Sequence, residues 1–413
     1  MRAIRFLKNI PLLGRWLHAL QWAVLRRLPK AMVLRMYRDP TDWNRLEREL
    51  ERFLAGNARG VSASARTPEL IVSLTSYPPR IARIHYTVFT LLTQTLKPDR
   101  VVLWLAEEQF PGRDDDLTPE LRAMREHGLT IRYTHDTKSY KKLVPAVSAF
   151  PNAAIVTVDD DLLFPQDMLE RLVRSWQGEP SGIHTHRANR ITGDAGGTIQ
   201  PYARWERCID GRAASRRKHG APQSCEHGDP QSGFAVFLTG GAGTLYPPGA
   251  LHPDLTREDL FMRLSPTADD VWFWAMAVLN DTKTCVVRDN ILSLYSNDKL
   301  RYEDVFAARG LYAVNLTQND VQIQNVLEHY PEIAEKLREE FFSREYSQGN
   351  FSKWARGFSK WARGERRGPG DERRGARWGG HAAKGRPPAP VGVTIVTGIS
   401  VSWTKNPTPD LKS

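Results

Sequence analysis

Residues 154–165 read AIVTVDDDLLFP, and this stretch decides the fold class. The first five residues are apolar or β-branched, which is typical of a short buried strand. Three aspartates, Asp159, Asp160 and Asp161, follow directly. In open sheets of parallel strands, ligands bind outside the carboxyl ends of the strands. The stretch therefore predicts a buried strand that presents carboxylates to a ligand site.

Strands and helices alternate on the N-terminal side of this stretch. Apolar, β-branched runs predict strands at 70–75, 100–105 and 129–133. Helical spacing and helix start and stop residues predict the helices between them, at 81–96, 117–127 and 141–149. This alternation predicts an α/β fold with a mostly parallel central sheet and helices on both faces.

The three adjacent aspartates repel one another, which makes the cluster unfavourable without a cation. Clustered carboxylate oxygens suit Mg²⁺ or Mn²⁺, which in turn bind diphosphates. Alternate residues of an extended chain point the same way, so Asp159 and Asp161 can share a ligand. The alternative is a solvated acidic turn before the helix that Pro165 begins.

Two segments of the C-terminal half carry further candidates. Residues 233–243, GFAVFLTGGAG, predict a strand that runs into a glycine loop, and a simple tight turn is the alternative. Residues 265–276, SPTADDVWFWAM, predict a helix that Asp269 and Asp270 open. A carboxylate beside an apolar wall can have a raised pKa, which suits a general base. The alternative is a capping box formed by Thr267 and Asp270.

The remaining metal candidates are weaker. His184 and His186 form an HxH pair that has no evident third ligand. Asp289, Asn297 and Asp298 follow the last predicted strand, at 284–288, where one of them is a candidate for completing a metal site. Trp272 and Trp274 are candidates for stacking on a sugar, with core packing as the alternative.

The net charge of +11 belongs to the ends of the chain. Residues 1–40 carry a net charge of +8 and residues 351–413 a net charge of +9, whereas residues 41–350 carry −6. A mildly acidic body argues against nucleic-acid binding. Leucines at helical spacing among the N-terminal arginines predict a basic helix that packs on the body or lies on an anionic membrane surface. Three cysteines without a CxxC pair argue against a disulfide scaffold.

A family resemblance adds to these observations. The segment IVTVDDDLLFP resembles the DxD segment of GT-A-type glycosyltransferases, and the body, over about 70–345, is similar to bacterial enzymes of the family 2-like kind. IVSLTSYPPRI, at 71–81, resembles their first strand and nucleotide-contacting loop. DTKSYKKLVPA, at 136–146, takes the place of the segment before the DxD strand. The pair Asp269 and Asp270 resembles the acidic motif that supplies the general base in inverting members.

The resemblance implies a Rossmann-like GT-A fold and a domain organisation. A basic helical extension over 1–65 precedes a catalytic domain over 66–345, with a nucleotide-binding half at 66–165 and an acceptor half at 166–345. A low-complexity tail rich in Arg, Gly and Pro follows at 346–413. This tail is expected to be disordered, because its composition does not build a core.

The resemblance also implies roles for particular residues. Asp161, with Asp159, would hold Mn²⁺ or Mg²⁺, and Asp270, or else Asp269, would act as the base. Lys141 or Lys142 would reach the nucleotide together with a larger set of donor contacts. That set is Thr75, Tyr77, Arg80, Lys138, Asp159, Asp160 and Gly241.

The activity implied is metal-dependent transfer of a sugar from a nucleotide-diphosphate donor, expected to be a UDP-sugar, to a glycan or lipid-linked acceptor. Surface-polysaccharide synthesis in the cytoplasm, with peripheral contact to the membrane face, is the expected setting. One alternative is a sugar nucleotidyltransferase, which should carry a glycine-rich phosphate loop where this chain has SYPPRI. The other is a carbohydrate-binding protein without catalytic activity.

Overall fold

The computed structural model describes residues 41–193, 198–212, 231–292, 294–297 and 311–347. The predicted basic helix within residues 1–40, nearly all of the predicted tail and Asp298 lie outside the described residues. Within the described residues, no helix is both long enough and apolar enough to cross a bilayer.

The core of the fold is an eight-stranded sheet. The strands of the described residues are β1 (Leu70–Thr75), β2 (Arg100–Ala106), β3 (Leu129–Thr134), β4 (Ala154–Thr157), β5 (Leu162–Leu163), β6 (Ile183–Thr185), β7 (Ala188–Arg190), β8 (Ser232–Gly233), β9 (Val236–Leu238), β10 (Thr244–Tyr246), β11 (Thr284–Val286) and β12 (Tyr295–Ser296). The large sheet has the order β3-β2-β1-β4-β10-β6-β11-β8. Six of its strands run in one direction, and β10 and β8 run against them. This confirms the predicted α/β fold with a mostly parallel sheet.

Helices cover both faces of this sheet. They are α1 (Trp43–Ala55), α2 (Pro78–Ile81), α3 (Ile84–Leu92), α4 (Pro119–Ala123), α5 (Val144–Ala149), α6 (Met168–Gly178), α7 (Glu258–Leu264), α8 (Asp269–Leu279), α9 (Leu311–His329) and α10 (Pro331–Ser347). Alternate residues of β1 serve opposite layers. Ile71 packs in the cluster that includes Val271 of α8, whereas Val72 packs in the cluster that includes Val88 of α3. Both faces are buried, which is why β1 reads as a continuous apolar run.

The predicted helices are shorter in the structure. The helix predicted over 117–127 ends at Ala123, and turns continue to Gly128, which has a φ of +112°. The helix predicted over 141–149 begins only at Val144, after a 3₁₀ turn at Lys138–Lys142. Pro145 explains the later start, because proline has no N–H and fits only the first turn of a helix.

The glycine-rich segment contains the predicted strand that runs into a glycine loop, and a second strand follows the loop. It forms β9, a 3₁₀ turn at Gly240–Ala242, and then β10. β10 lies antiparallel between β4 and β6. Gly243 has a φ of +103°, a conformation that glycine adopts at little cost. This path brings the turn against the carboxyl end of β4.

Two aromatic candidates belong to the core. Trp272 and Trp274 are both fully buried, and their indole N–H groups donate to the carbonyls of Leu255 and Phe234. Neither ring is exposed for stacking on a sugar, so the core alternative is the correct one. The segment predicted as an N-terminal extension includes α1, which buries Leu50 against the body.

Candidate active site

Four chain segments meet at the carboxyl edge of the central strands. They are the residues after β1, the aspartates after β4, the glycine turn before β10 and the first turn of α8. Hydrogen bonds join them directly. The N–H of Asp159 donates to the carbonyl of Gly241 at 3.0 Å, and the N–H of Gly240 donates to Asp270 Oδ1 at 2.9 Å. The topology thus places the predicted metal and base candidates around one loop.

Asp160 is the buried anchor of the aspartate cluster. Only 4% of the residue is exposed. One carboxylate oxygen accepts from Ser76 Oγ at 2.5 Å and the other from Arg80 Nη1 at 2.6 Å. Burial raises the pKa of Asp160, and the positive charge of Arg80 acts against that rise. Protein groups donate hydrogen bonds to both carboxylate oxygens. Asp160 therefore holds the loop in place, and its carboxylate is turned to the protein and not to a nucleotide sugar.

The other two aspartates pair with different cations and are more exposed than Asp160. The side chain of Asp159 is 35% exposed and that of Asp161 is 14% exposed. Asp161 Oδ2 lies 3.2 Å from Arg80 Nη2, and Asp159 Oδ1 accepts from Lys142 Nζ at 2.7 Å. Protein cations therefore offset much of the repulsion within the cluster.

Lys142 connects the aspartate cluster to helix α8. Its ammonium group, with only 7% of the side chain exposed, lies 2.7 Å from Asp159 Oδ1 and 3.1 Å from Asp269 Oδ2. Burial alone lowers the pKa of a lysine, but the charges of Asp159 and Asp269 outweigh it and raise the pKa of Lys142 well above its usual value. Lys142 also opposes the effect of burial on Asp159, whose pKa is lowered. The three side chains form one charged unit.

Asp270 has the properties of a base that operates near neutral pH. Burial, followed by the charge of neighbouring Asp269, raises the pKa of Asp270 to about 7. The capping box is wrong, because the N-cap residue of α8 is Ala268 and makes no side-chain cap. Thr267 Oγ1 instead accepts from Gln322 Nε2 at 3.0 Å. Asp270 is left to accept from the glycine turn.

Gly241 is required by its distance to Asp159. A Cβ atom at position 241 would lie 1.8 Å from Asp159 Oδ2. In a Gly241→Ala variant the carboxylate must rotate away and lose its bond to Lys142. Because the short side chain has solvent to rotate into and Lys142 keeps Asp269 as a partner, we expect the melting temperature to fall less than it does when Lys142 is replaced. If Asp159 holds a metal that binds a nucleotide, as the sequence predicts, nucleotide affinity should fall at least about tenfold, since the carboxylate is displaced.

Gly178→Ala is the matched control for this substitution, because a Cβ atom at position 178 meets nothing within 4 Å. Calorimetric titration with a nucleoside diphosphate and Mn²⁺ compares the two variants. Equal affinity in both would show that the contact between Gly241 and Asp159 has no part in ligand binding.

The charges at this edge leave room for a cation. Five carboxylates belong to the site, from Asp159, Asp160, Asp161, Asp269 and Asp270. Among the described residues, three cations act on them: Arg80, Lys142 and Arg187. With every acid ionised the balance is −2, which a divalent ion would neutralise.

Asp159 and Asp161 fit a metal of the magnesium or manganese type. They are hard oxygen donors of the same loop, and both keep exposed surface. The described residues contain no group of three or more His, Cys, Asp or Glu arranged to hold a metal. Magnesium sites commonly use one or two carboxylates, with water and substrate phosphates as the other ligands. The donor set present here matches that pattern.

Several other candidates lie elsewhere or serve the fold. Thr75 Oγ1 donates to the carbonyl of Trp104 within the sheet. Lys138 is exposed and donates to the carbonyl of Pro266, and Lys141 pairs with Asp136. Tyr77 is 42% exposed, and the Arg80 guanidinium lies 5.4 Å from the centre of its ring. Of these, only Tyr77 adjoins the cluster, through Arg80.

The HxH pair consists of core histidines. His184 is bonded to Ser175 Oγ and to the carbonyl of Glu179, and His186 to the carbonyl of Met168. Burial lowers the pKa of each to about 4, so both are neutral at pH 7.

The candidates proposed to complete the metal site also have other partners. Asp289 pairs with Arg212. Asn297 donates its amide to the Asp160 carbonyl, and so holds the backbone of the cluster.

Two residues of the site escaped the sequence analysis. Ser76 follows the first strand, and Arg187 follows β6. Arg187 directly follows the HxH pair, and the sequence pattern there indicates the histidines and not the arginine. The position of Ser76 at the end of a strand was a signal for a site residue. Its partner Asp160, however, is 84 residues away in the sequence.

Comparisons with known proteins leave the chain without an assigned family. No protein-family model and no curated protein matches it. Among solved structures, it is similar to the mannosyltransferase PcManGT from Pyrobaculum calidifontis in complex with GDP-Man and Mn²⁺, with 13% identity, 78% of this chain and 87% of the other covered, and a TM-score of 0.34. It is also similar to S. aureus TarS 1–349 in complex with UDP, with 10% identity, 72% and 92% coverage, and a TM-score of 0.35.

A third similar structure is a CMP:2-keto-3-deoxy-manno-octonic acid synthetase complexed with CTP, with 10% identity, 60% of this chain and 99% of the other covered, and a TM-score of 0.30. Likenesses at this distance do not assign an activity.

Proposed function

We propose that this chain is a metal-dependent glycosyltransferase of GT-A type. It moves a sugar from a nucleotide-diphosphate donor, such as a UDP-sugar, to a hydroxyl group of a glycan or lipid-linked acceptor. The observation that carries the proposal is the meeting of two groups around one glycine turn. Asp159 and Asp161 provide the metal side, and Asp270, with its pKa raised to about 7, provides the base side.

Asp270 acts on the acceptor in this proposal. Its carboxylate takes the proton of the acceptor hydroxyl as that oxygen attacks the anomeric carbon. The bond from the anomeric carbon to the phosphate oxygen breaks, and its electron pair leaves with the nucleoside diphosphate. One displacement of this kind inverts the anomeric centre. The Gly240 N–H holds Asp270 in place, and Lys142 holds the first turn of α8 against Asp159.

The aspartate side of the site, across from Asp270, would stabilise the leaving group. Asp159 and Asp161 would hold Mn²⁺ or Mg²⁺, which when bound supplies positive charge to the departing diphosphate. Asp160, fixed by Ser76 and Arg80, keeps the loop that carries both aspartates in place.

The two alternatives lack comparable support. A nucleotidyltransferase needs backbone amides from a glycine-rich loop after its first strand, and this chain has Ser76, Tyr77 and two prolines there. Perturbed pKa values cluster at functional sites, so a carboxyl group whose pKa is raised to about 7 beside an ion-paired neighbour favours a catalytic role over binding alone. Membrane contact through residues 1–40 and the surface-polysaccharide setting stay predictions of the sequence.

Asp161→Ala tests the metal side. We expect a nucleoside diphosphate with Mn²⁺ to raise the melting temperature of the wild type, since a ligand that binds only the folded state stabilises it. The variant should lose the part of this rise that depends on Mn²⁺. Asp115→Ala removes an exposed carboxylate in the turn Arg113–Asp116 and should keep the full rise. An equal metal-dependent rise in the Asp161 variant would remove Asp161 from the metal site.

A further inference from the structure

Arg187 stands at the edge of the same site, on an element that the proposed roles do not use. It comes two residues after β6, a strand that runs parallel to β4. Its Nε donates to Thr239 Oγ1 at 3.1 Å. Thr239 returns two bonds to the Arg187 carbonyl, from its hydroxyl and from its N–H, each at 3.0 Å. Arg187 and the residue before the glycine turn are therefore locked together.

The charge of Arg187 has no matching partner in the described part of the chain. Arg80 is paired with two carboxylates, and Lys142 is also paired with two. For Arg187 no carboxylate oxygen of the described residues lies within 4.0 Å, and its only side-chain hydrogen bond there is the one from Nε. Its Nη groups make no hydrogen bond or ion pair with the residues that the structure describes. Arg187 nevertheless belongs to the cluster, because its charge contributes to the lowered pKa of Asp159.

A partly buried guanidinium with unengaged Nη groups is a favourable site for an anion. Its planar fork of donors matches a phosphate with two parallel hydrogen bonds. Leaving such a charge without a partner in a partly desolvated place is costly, so an anionic ligand gains from pairing with it. Thr239 already orients the guanidinium, which reduces the ordering cost of binding.

We propose that Arg187 binds the diphosphate of the nucleotide-sugar donor through its Nη groups, beside Asp159 and the glycine turn. The inference rests on the proposed function and names a residue that recognises the leaving group. Arg187 thus adds a fixed positive charge to the site that does not depend on a metal.

The test compares a nucleoside diphosphate with the matching nucleoside. Wild type, Arg187→Gln and Arg204→Gln are titrated calorimetrically with UDP, GDP and CDP in the presence of Mn²⁺, and with uridine, guanosine and cytidine. Arg204 is an exposed arginine in the turn Tyr202–Arg204 and serves as the control. We expect Arg187→Gln to weaken the diphosphate that binds wild type about tenfold to a hundredfold, with nucleoside affinity unchanged. Arg204→Gln should bind both as wild type does.

The outcomes separate this inference from the proposed function. If wild type binds a nucleoside diphosphate and Arg187→Gln binds it equally well, Arg187 does not contact the diphosphate and the proposed function stands. If the variant loses nucleoside and diphosphate affinity by the same factor, Arg187 has only a structural role and the inference fails. If wild type binds no diphosphate in the panel, the proposed function fails as well.

Arg187→Lys keeps the inference testable if the glutamine variant does not fold. It retains the charge but lacks the fork of donors. We expect diphosphate affinity between that of wild type and that of a neutral variant, and an affinity equal to wild type would contradict the bidentate contact.

Discussion

Replacing Asp270 with asparagine should lower kcat for sugar transfer by about 10²- to 10⁴-fold, the usual contribution of a general base. Asparagine keeps the shape of the side chain and its acceptor oxygen for the Gly240 N–H, but it does not take a proton at neutral pH. Donor affinity should stay within about twofold, because Asp270 acts on the acceptor. Initial rates of nucleoside diphosphate release, with donor and acceptor present, measure the effect.

The pH dependence of the wild-type enzyme gives the same claim a second readout. The base must be ionised, so kcat/KM should rise with pH and reach half its maximum near pH 7, where Asp270 titrates in the free protein. Asp269→Asn removes a negative charge that helps to raise the pKa of Asp270. The half-maximum should therefore move to lower pH in that variant.

Asp259→Asn is the control for both acidic variants. Asp259 lies in the first turn of α7, paired with Arg257 on the surface, and its loss should leave the rate and the pH profile unchanged. A wild-type profile that is flat between pH 6 and 8, together with near-normal turnover in Asp270→Asn, would show that Asp270 is not the base.

Replacing Lys142 with methionine should lower the free energy of unfolding by about 3 to 5 kcal/mol, the usual cost of removing one partner of a buried ion pair. The variant leaves Asp159 and Asp269 without their shared counter-charge. Methionine keeps most of the length of the side chain, so the loss reports charge more than volume. Urea unfolding of wild type and variant at pH 7 measures the difference.

The pH dependence of that difference follows from the sign of the Asp159 shift. The pKa of Asp159 is lowered in the folded state, so its ionised form stabilises the fold above its ordinary pKa of 3.8. This contribution is lost as the pH falls through the lowered folded-state value. The gap between wild type and Lys142→Met should therefore narrow as the solution is acidified.

Lys138→Met provides the comparison within the same 3₁₀ turn. Lys138 is exposed and donates only to the carbonyl of Pro266, so its replacement should change stability by less than about 0.5 kcal/mol. Equal effects of the two substitutions would show that Lys142 does not hold the site together.

The strands were predictable because their signal is local. Leu70–Thr75 has the predicted bounds, and Ala154–Thr157 differs from its predicted bounds by one residue. Each is a buried strand of a parallel sheet, and such strands are apolar on both faces and end at residues that leave the core. The helices are shorter than predicted because tertiary contacts and proline geometry limit them. Helical spacing in the sequence does not reveal either of these.

The carboxylates of the site could be predicted from the sequence, but the cations that pair with them could be predicted only in part. The grouping of Asp159 with Asp161 by alternation along an extended chain stays a prediction, whereas Asp270 does lie in the first turn of the predicted apolar helix. The division of roles among Lys138, Lys141 and Lys142 depends on how a 3₁₀ turn packs against distant residues. Asp269, the second partner of Lys142, is 127 positions further along the chain. Arg80 and Asp160 are 80 positions apart, and no local pattern joins them.

The release of nucleoside diphosphate from a panel of nucleotide sugars tests whether this chain is a metal-dependent glycosyltransferase. The release is measured for the purified chain with Mn²⁺ and with EDTA in place of the metal. We expect at least one donor to be turned over with Mn²⁺ and EDTA to abolish this turnover. A panel of UDP-, GDP- and dTDP-sugars that yields no metal-dependent turnover, with no nucleotide bound by the protein, would contradict this expectation.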